Sequence, residues 1–526
     1  MKNRSLKART LLRVGAVLLI LVLLNIISVR IFGRIDMTRN GQFTLAEASK
    51  QLMRSLDDRV TVKAYFTEDL PSPYSMHRRA LLDQLNEFRA YSNGNLQYEF
   101  INPQGEKAER EAQEQGIAQA QVQVVNEDKF EAKRAYMGLV FLYEDKKEVI
   151  PVIESITSLE YDISSTVKRL TTRTRKKIGF LTGQGEAPLT EFNNVQNVIA
   201  RQYDVTTVDL SGGTSVADDI AALLIVAPKN RFSEPVKYRI DQYIMRGGRV
   251  AFLLNKAEAD LQQRFGQPVE NGLNDLLEQY GLRINADLVR DAQCANISIV
   301  QQQFGFSMQS QVPFPYLPLV SDFSKDNMMV KDLKGVVLFF ASSVDTIRPG
   351  EKGLRGEILM RSSKQSGRRR EDEYYILDPL QRFSRADFTE QGLPLAAVMS
   401  GKFKSAFAGK PVPGDSTGTA PPTLETSPET RVLLVGDGEF SRDQYLGNNR
   451  DNLTIFANMV DYLVDDAGLI TIRSKEAALP PLEPVSDAVK KFLKYGNLVL
   501  PPAIVLAFGL VRWRMRKARK KAMEVQ

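Results

Sequence analysis

The sequence predicts an α/β protein with two domains held between two transmembrane helices. Two observations lead to this prediction. An uncharged apolar segment lies near each end of the chain, and helical and strand-like patterns alternate between the two segments. With 526 residues, the chain is long enough for several domains. We expect a thioredoxin-like domain at 34–172, followed by a doubly wound domain that begins at 173.

The first apolar segment lies at 14–32 and follows a basic tail at 1–13. The tail contains five basic residues and no acidic residue, and Val14–Val29 carries no charge. A spanning helix needs about 20 apolar residues, and loops rich in Lys and Arg remain in the cytoplasm. Neither a small-residue cleavage motif nor a lipidation cysteine follows. The segment is therefore predicted to be an uncleaved anchor rather than a signal peptide.

The second uncharged segment lies at 495–511, and a basic tail at 512–526 follows it. Pro501 and Pro502 predict a kink or a late helix start, so an interfacial helix is the alternative to a spanning one. The basic tail favours spanning. Both termini are then predicted to be cytoplasmic at a bacterial inner (cytoplasmic) membrane, with a periplasmic body between the segments.

Composition excludes several classes of function. The two tails together carry a net charge of +11 and the whole chain +7, so the rest of the chain sums to −4. A nucleic-acid-binding face is therefore not expected. Cys294 and His77 are the single cysteine and histidine, and they lie in different predicted domains. A Ser-His-Asp triad, a Cys-His dyad or a histidine-rich metal site would have to use them.

The N-terminal domain is predicted from its order of elements. Thr44 and Glu47 have the spacing of a capping box, which predicts the start of a helix. Strand, helix, strand, helix, several strands and a last helix at Leu159–Leu170 then follow, an order typical of a thioredoxin-like domain. The domain contains no cysteine, so we expect a scaffold without the redox function.

The second domain shows short strands that alternate with helices, as in a doubly wound sheet. Its first part is predicted at 173–285. An irregular insertion at 286–408 follows, with possible strands at Val336–Phe340 and Tyr374–Leu377. Residues 409–431 are rich in Pro, Gly, Ser and Thr, which predicts a disordered linker. The domain is completed at 432–480, where Leu469–Ile472 is predicted to be a short strand.

The first candidate site consists of Gly183, Gln184, Gly185 and Glu186, between a predicted strand and a helix. Ligands bind at this end of the strands in open α/β sheets. The run lacks the Lys-Ser/Thr pair of a P-loop and the third glycine of a dinucleotide fingerprint. Backbone amides could hold an anion here, or the glycines could serve a tight turn that needs positive φ.

The second candidate site consists of Asp437 and Glu439, which follow another predicted strand. With Glu186 they would form a carboxylate cluster if their strands were neighbours. Such a cluster performs acid/base chemistry or binds a hard cation, whereas isolated carboxylates cap helices and turns. These six residues are ligand-site candidates. We predict no catalytic, cofactor-binding or metal-binding residue and no cofactor.

An ordered set of motifs gives a family resemblance. The motifs lie between the two apolar segments, at Asp36–Leu45, Lys177–Glu186, Tyr243–Leu253, Val435–Phe440 and Asn458. Together they resemble the GldG-type auxiliary subunits of gliding-motility-associated ABC transporters. The resemblance implies that the second domain is similar to glutamine-amidotransferase or intraflagellar-transport domains. It also implies a polytopic permease and a separate cytoplasmic P-loop ATPase as partners, and it implies no catalytic residue.

The expected function is that of a non-enzymatic, membrane-anchored auxiliary subunit of an ABC transporter complex. The chain has no Walker A motif, so another subunit would hydrolyse ATP. One alternative is a periplasmic receptor for a glycan or a polypeptide. Another is a membrane-anchored hydrolase or amidotransferase that uses Glu186, Asp437 and Glu439.

Overall fold

The computed structural model describes most of the chain between Thr44 and Ala477 and part of the C-terminal segment. The described residues are 44–68, 70, 74–126, 129–153, 155–303, 306–330, 333–347, 353–370, 374–414, 422–446, 449–464, 467–477, 494, 496–497, 502 and 506–517. The predicted first anchor and its basic tail lie outside these residues, and the second anchor lies partly outside them. Within the described ranges, no helix has both the length and the apolar character needed to cross a membrane.

The chain divides into two compact units, Met1–Ala477 and Ala478–Gln526. The first unit contains both predicted domains. In the second unit, residues 506–517 are helical.

The N-terminal domain is a mixed five-stranded sheet with helices packed around it. Its elements are α1 (Glu47–Arg54), β1 (Val60–Phe66), α2 (Tyr74–Tyr91), β2 (Leu96–Ile101), α3 (Glu106–Glu114), β3 (Gln119–Asn126), β4 (Lys129–Tyr143), β5 (Lys146–Ile150) and α4 (Leu159–Thr171). The strand order is β2-β1-β4, and β3 and β5 both pair with β4. Strands β1 and β2 are parallel, whereas β4 is antiparallel to β1. Alternating Val60, Val62 and Ala64 of β1 are fully buried in the core of this domain.

The predicted capping box at the start of α1 is wrong. The helix begins at Glu47, its N-cap residue is Ala46, and no side chain caps it locally. Instead, a carboxylate oxygen of Glu160 on α4 accepts a hydrogen bond from the Ala46 amide at 2.6 Å. A buried side chain from a distant helix thus supplies the acceptor that local sequence was expected to supply.

The second domain is built on an eight-stranded sheet. Its strands and those of the smaller sheets beside it are β6 (Lys177–Thr182), β7 (Asp204–Asp209), β8 (Ile220–Val226), β9 (Val250–Leu253), β10 (Ala257–Asp260), β11 (Phe265–Pro268), β12 (Leu282–Ile284), β13 (Leu288–Asp291), β14 (Cys294–Gln303), β15 (Phe306–Val320), β16 (Asp322–Phe323), β17 (Val336–Val337), β18 (Val344–Thr346), β19 (Leu354–Arg361), β20 (Ser366–Arg369), β21 (Tyr375–Ile376), β22 (Pro394–Lys404) and β23 (Thr426–Val435). Its helices are α5 (Asn193–Ile199), α6 (Glu234–Met245), α7 (Asn274–Gln279), α8 (Asp443–Leu446), α9 (Arg450–Leu463) and α10 (Ala467–Ala477).

The order of the large sheet is β16-β19-β22-β23-β9-β8-β6-β7, and the strands from β23 to β7 are parallel. Strand β8 is apolar throughout because both of its faces are covered. Ala222, Leu224 and Val226 pack in a core that includes residues of α5 and α9. Leu223 and Ile225 pack in a second core that includes residues of α6. This two-sided burial is what a continuous apolar strand requires.

Residues 286–408 are more regular than the sequence predicts, and β17 and β21 lie within the two possible strands. Among the residues described, this range contains ten strands, β13 to β22. Strands β22, β19 and β16 extend the large sheet by antiparallel pairing. Most of these strands are short and pair with distant parts of the chain, so their local pattern is weak.

The predicted linker at 409–431 is too long at its C-terminal end. Strand β23 begins at Thr426, and Leu424 exchanges two backbone hydrogen bonds with the side chain of Gln242, at 2.8 and 3.1 Å. Residues 415–421 lie outside the described part. Pairing with β22 satisfies the backbone of Thr426 to Arg431 despite a composition that is typical of a linker.

The predicted strand at Leu469–Ile472 is instead part of helix α10. Leu469, Ile470 and Ile472 are buried, and α10 packs against α1, α4 and α9. A four-residue run with three apolar side chains does not distinguish a strand from a buried helical turn. Tertiary packing decides between the two here.

Candidate functional site

The candidate residues lie at the carboxyl edge of the parallel strands. Gly183 to Glu186 follow β6, and Asp437 to Glu439 follow β23. The chain leaving β8 at Ala227 and the chain leaving β9 at Asn255 lie between these two turns, because the strand order is β23-β9-β8-β6. Four strand ends therefore meet at one edge, as expected for a ligand site in an open α/β sheet.

The first turn requires glycine for conformational reasons. Gly183 and Gly185 have φ of +102° and +81°, which is the left-handed region. The carbonyl oxygen of buried Gln184 accepts hydrogen bonds from the amides of Lys229 and Asn230, at 3.1 and 2.9 Å. The turn is thereby tied to the loop that follows β8.

Glu186 is half-buried within this turn. One carboxylate oxygen, Oε2, accepts a hydrogen bond from the Gln184 amide at 2.7 Å. The other oxygen, Oε1, is buried and has no hydrogen-bond partner in the described part of the chain. Burial raises the pKa of Glu186, and the amide hydrogen bonds oppose this effect. Glu186 thus has one hydrogen-bonded oxygen and one buried oxygen without a partner among the described residues.

Asp437 lies in the second turn and is fully buried. Its Oδ2 accepts a hydrogen bond from the Phe339 amide at 2.6 Å, and its Oδ1 accepts one from the Glu439 amide at 2.6 Å. The side-chain nitrogen Nδ2 of Asn255 lies 3.4 Å from Oδ1 of Asp437. The side-chain oxygen Oδ1 of Asn255 accepts a hydrogen bond from the Gly438 amide at 2.7 Å. Burial raises the pKa of Asp437 to about 7. The side chain holds three segments of backbone together.

Glu439 belongs to an ion network. Its Oε2 accepts from Nη1 of Arg442 at 2.6 Å, and Nη2 of the same guanidinium contacts Glu191. Burial raises the pKa of Glu439, and the Arg442 charge opposes that increase. Both Glu439 and Arg442 have side chains that are only 15% exposed, so the pair is shielded from solvent screening.

A pocket of about 60 Å³ opens between the ends of β8, β9 and β23. One water needs about 10–15 Å³ by this measure, so the pocket has room for several waters or a small ligand group. Lys229 pairs with Glu258 at its rim, and burial raises the pKa of Tyr445 in its wall to about 12. The lining residues are Ala227, Pro228, Lys229, Asn255, Ala257, Glu258, Ala259, Val269, Phe340, Glu439, Arg442 and Tyr445.

The structure brings Asp437 and Glu439 together but keeps Glu186 apart from them. Strands β9 and β8 lie between β23 and β6. At about 4.8 Å per strand, the two turns are separated by roughly 14 Å. Among the residues described, no group of three or more His, Cys, Asp or Glu side chains is arranged to hold a metal ion. The three-carboxylate cluster considered from sequence does not form.

Sequence reasoning missed the residues that complete the pocket. Asn255 lies two residues after β9, at the end of an apolar run, so its place at a strand end was available as a signal in the sequence. Arg442 and Tyr445 follow the second turn by a few residues. Lys229 gives no local signal, because its partner Glu258 lies on β10, 29 residues later in the chain.

The single cysteine and the single histidine lie away from this edge. Cys294 begins β14, and burial raises the pKa of its thiol. His77 lies on α2 of the N-terminal domain, where burial lowers its pKa and its ring contacts that of Tyr74 at 5.8 Å between centroids. A dyad of these two residues is not formed.

The fold and this edge define a mixed α/β protein with a small polar pocket at the ends of its parallel strands. The chain belongs to the family described as ABC-type uncharacterized transport system, whose model matches residues 175–466. That match covers more than half of the chain. A second model, for a domain of unknown function (DUF7088), matches residues 39–142 of the N-terminal domain.

An uncharacterized protein of Borreliella burgdorferi is 25% identical over 531 residues, with 98% of this chain and 100% of the relative covered. Two solved structures are also similar. The mmIFT52 N-terminal domain is 13% identical, covers 55% of this chain and 97% of its own, and has a TM-score of 0.33. PurLQS from Thermotoga maritima is 9% identical, covers 55% of this chain and 100% of its own, and has a TM-score of 0.26.

Proposed function

We propose that this protein is a non-enzymatic auxiliary subunit of an ABC transporter complex of the gliding-motility or secretion-associated type. The observation that supports this proposal is the family match over residues 175–466. The chain carries no Walker A motif, so the proposal requires a separate cytoplasmic P-loop ATPase. A polytopic permease is the other proposed partner.

We also propose that the apolar segments at 14–32 and 495–511 are membrane anchors. Their basic flanks favour cytoplasmic termini and a periplasmic body. A reporter that is active only in the periplasm is expected to be silent after Gln526 and active when inserted at 415–421. Activity of the C-terminal fusion would contradict a spanning second segment.

The N-terminal domain is proposed to be a thioredoxin-like scaffold without redox function. The order β2-β1-β4-β5, with β1 and β2 parallel and the others antiparallel, supports this interpretation. The domain has no cysteine, so a dithiol mechanism has no residues to use. We infer that the domain acts by contact.

Copurification tests the auxiliary role directly. The chain is tagged at its native expression level, extracted in mild detergent, and recovered with its partners. A P-loop ATPase and a polytopic membrane protein are expected in stoichiometric amounts. Recovery of the chain without either of them would overturn the proposal.

A second candidate function is that of a receptor for a glycan or a polypeptide in the periplasm, and the pocket at the strand ends favours it. The pocket offers Lys229, Tyr445 and Asn255 as polar groups beside apolar Phe340. Binding of cell-wall glycan fragments and of extended peptides can be measured for the native chain and for Lys229→Met. Weaker binding by the variant supports this function. Equal binding, or none by either chain, argues against it.

The hydrolase alternative has less support from the geometry. Both oxygens of Asp437 accept backbone hydrogen bonds, and Glu439 is paired with Arg442. Glu186, which has a buried oxygen without a partner among the described residues, lies across two strands from them.

A further inference from the structure

The first and the last described helices of the first compact unit lie at one place. Helix α1 is the first described helix after the N-terminal apolar segment, and α10 is the last helix of the unit before the C-terminal one. These helices pack against each other, and both pack against α4. We define the junction as the three helices α1, α4 and α10.

Two adjacent residues of α4 form hydrogen bonds with α1 and α10. Oε1 of Glu160 accepts hydrogen bonds from the Ala46 amide and the Ser49 hydroxyl of α1, both at 2.6 Å. The Tyr161 hydroxyl accepts a hydrogen bond from Nη2 of Arg473 on α10 at 2.7 Å. Glu160 is 7% exposed and Arg473 is 9% exposed, so both links are screened little by solvent.

Arg473 also links the junction to the second domain. Its Nη1 donates to the side-chain oxygen of Asn458 at 2.6 Å and lies 2.9 Å from Oδ2 of Asp461, both on α9. Oδ1 of Asp461 in turn accepts from the Tyr203 hydroxyl at 2.7 Å. One guanidinium thus connects α10 with α4 of the first domain and α9 of the second. Breaking a buried pair of this kind is strongly unfavourable, so the arrangement is firmly held.

The chain outside this junction is short on the N-terminal side. Residues 33–43 separate the apolar segment from Thr44, and eleven residues span at most roughly 40 Å when fully extended. With the segment as an anchor, Thr44 at the start of the junction therefore lies within roughly 40 Å of the membrane surface. Gln51 on α1 and Ser55, the residue directly after α1, are both exposed.

We propose that the junction of α1, α4 and α10 is the surface on which this protein contacts the membrane-embedded partner subunit of its complex. The proposal rests on the proposed function, since it takes the apolar segments as anchors and a polytopic protein as the partner. It assigns the contact to the junction and not to the pocket at the strand ends. Because both domains are tied to α10 through Arg473, movement of the partner at this surface would reach both domains.

Site-specific photo-crosslinking in native membranes tests this surface. A photoreactive residue replaces Gln51 or, in a second variant, Ser55. The matched control replaces Gln309, an exposed position on strand β15. All three positions are exposed, so the replacements are not expected to impair folding. Crosslinks to the polytopic partner are expected from Gln51 and Ser55 and not from Gln309.

Three outcomes overturn the proposal in distinguishable ways. If the partner copurifies but crosslinks from Gln309 and not from Gln51 or Ser55, the assigned surface is wrong and the proposed function stands. If Gln51 and Ser55 crosslink to lipid alone while the partner copurifies, the junction faces the bilayer and not the partner. If no polytopic protein copurifies, the proposed function fails and this inference fails with it.

Discussion

Two turns of this protein share the pattern Gly-x-Gly-Glu, and each follows a strand of the same parallel array. Gly183–Glu186 follows β6, and Gly436–Glu439 follows β23. In the first turn, both glycines have positive φ, so glycine is required by backbone conformation. In the second turn, neither glycine is in the left-handed region. Glycine is required there because a Cβ atom would collide with neighbouring backbone.

The distances in the second turn make this requirement clear. A Cβ added at Gly436 would lie 1.9 Å from the Ser342 carbonyl oxygen. One added at Gly438 would lie 2.6 Å from the Leu253 carbonyl oxygen. At Gly183 and Gly185 the closest atoms are side-chain atoms, at 3.0 and 3.1 Å. The same four-letter pattern therefore serves two different physical purposes.

The glutamates that end the two patterns, Glu186 and Glu439, also differ in their hydrogen-bond partners. Glu439 is paired with Arg442 and is part of a buried network. Glu186 is half-buried and retains an oxygen without a hydrogen-bond partner among the described residues. The comparison teaches that the second turn is tied into the fold by its carboxylates, while the first has a carboxylate oxygen that no described group pairs with. Four variants would break or sharpen this contrast.

The largest effect is expected from Gly436→Ala. Because the added Cβ meets backbone that cannot rotate away, we expect a loss of more than about 3 kcal/mol in the free energy of unfolding. Gly183→Ala is the matched control and should lose about 1–2 kcal/mol from backbone strain alone. Denaturant unfolding followed by far-ultraviolet circular dichroism measures both. Equal losses of unfolding free energy in the two variants would show that steric exclusion at Gly436 is no stronger than backbone strain at Gly183.

Arg442→Met is expected to have the next largest effect. The variant leaves Glu439 buried without its cation, which costs about 3–5 kcal/mol for a buried pair. Lys229→Met is the control, because its pair with Glu258 is close to half exposed and is worth about 0–1 kcal/mol. The same unfolding measurement applies. A small loss for Arg442→Met would mean that Glu439 is neutral or finds another partner.

Asp437→Asn is expected to change how stability depends on pH. The folded pKa of Asp437 is about 7, above its ordinary value of 3.8, so between these values the folded chain binds more protons than the unfolded chain. The contribution of Asp437 to the free energy of unfolding is therefore present below about pH 4, and it is lost as pH rises through about 7. Asparagine does not titrate, so the variant should lack this decline.

Unfolding midpoints at pH 5, 6, 7 and 8 provide the test of Asp437→Asn. At pH 5, where the native carboxyl group is protonated, the variant should be less stable by about 1–3 kcal/mol, because an amide cannot accept the hydrogen bonds of both backbone donors. This difference should shrink as pH rises through about 7, because only the native chain loses stability there. Parallel pH profiles for the native chain and the variant would contradict a raised pKa at this position.

The smallest effect on stability is expected from Glu186→Gln. The glutamine oxygen can still accept from the Gln184 amide, so the change in unfolding free energy should stay below about 1 kcal/mol. Burial raises the pKa of Glu186, so removing its charge is expected to be slightly stabilising at neutral pH and without effect in acid. A loss of several kcal/mol would show that Glu186 is as structural as Glu439.

Much of the fold could be predicted because local periodicity records which face of an element is buried. The continuous apolar run of β8 predicts a strand covered on both sides, and the order of elements from β1 to α4 follows from alternating patterns. The candidate turns could be placed at strand ends for the same reason. What periodicity does not record is the partner that covers each face.

By itself, the sequence determined the α/β class, the parallel strands and the position of both glycine turns at one edge of a sheet. Only the tertiary structure decided that Asp437 would accept from Phe339, 98 residues earlier, and that Asn255 and Arg442 would complete the pocket. It also decided that Glu160 would cap α1 and that Leu469–Ile472 would be helical. The physical reason is that hydrogen bonds and packing partners are chosen in space, whereas sequence patterns report only burial along one element.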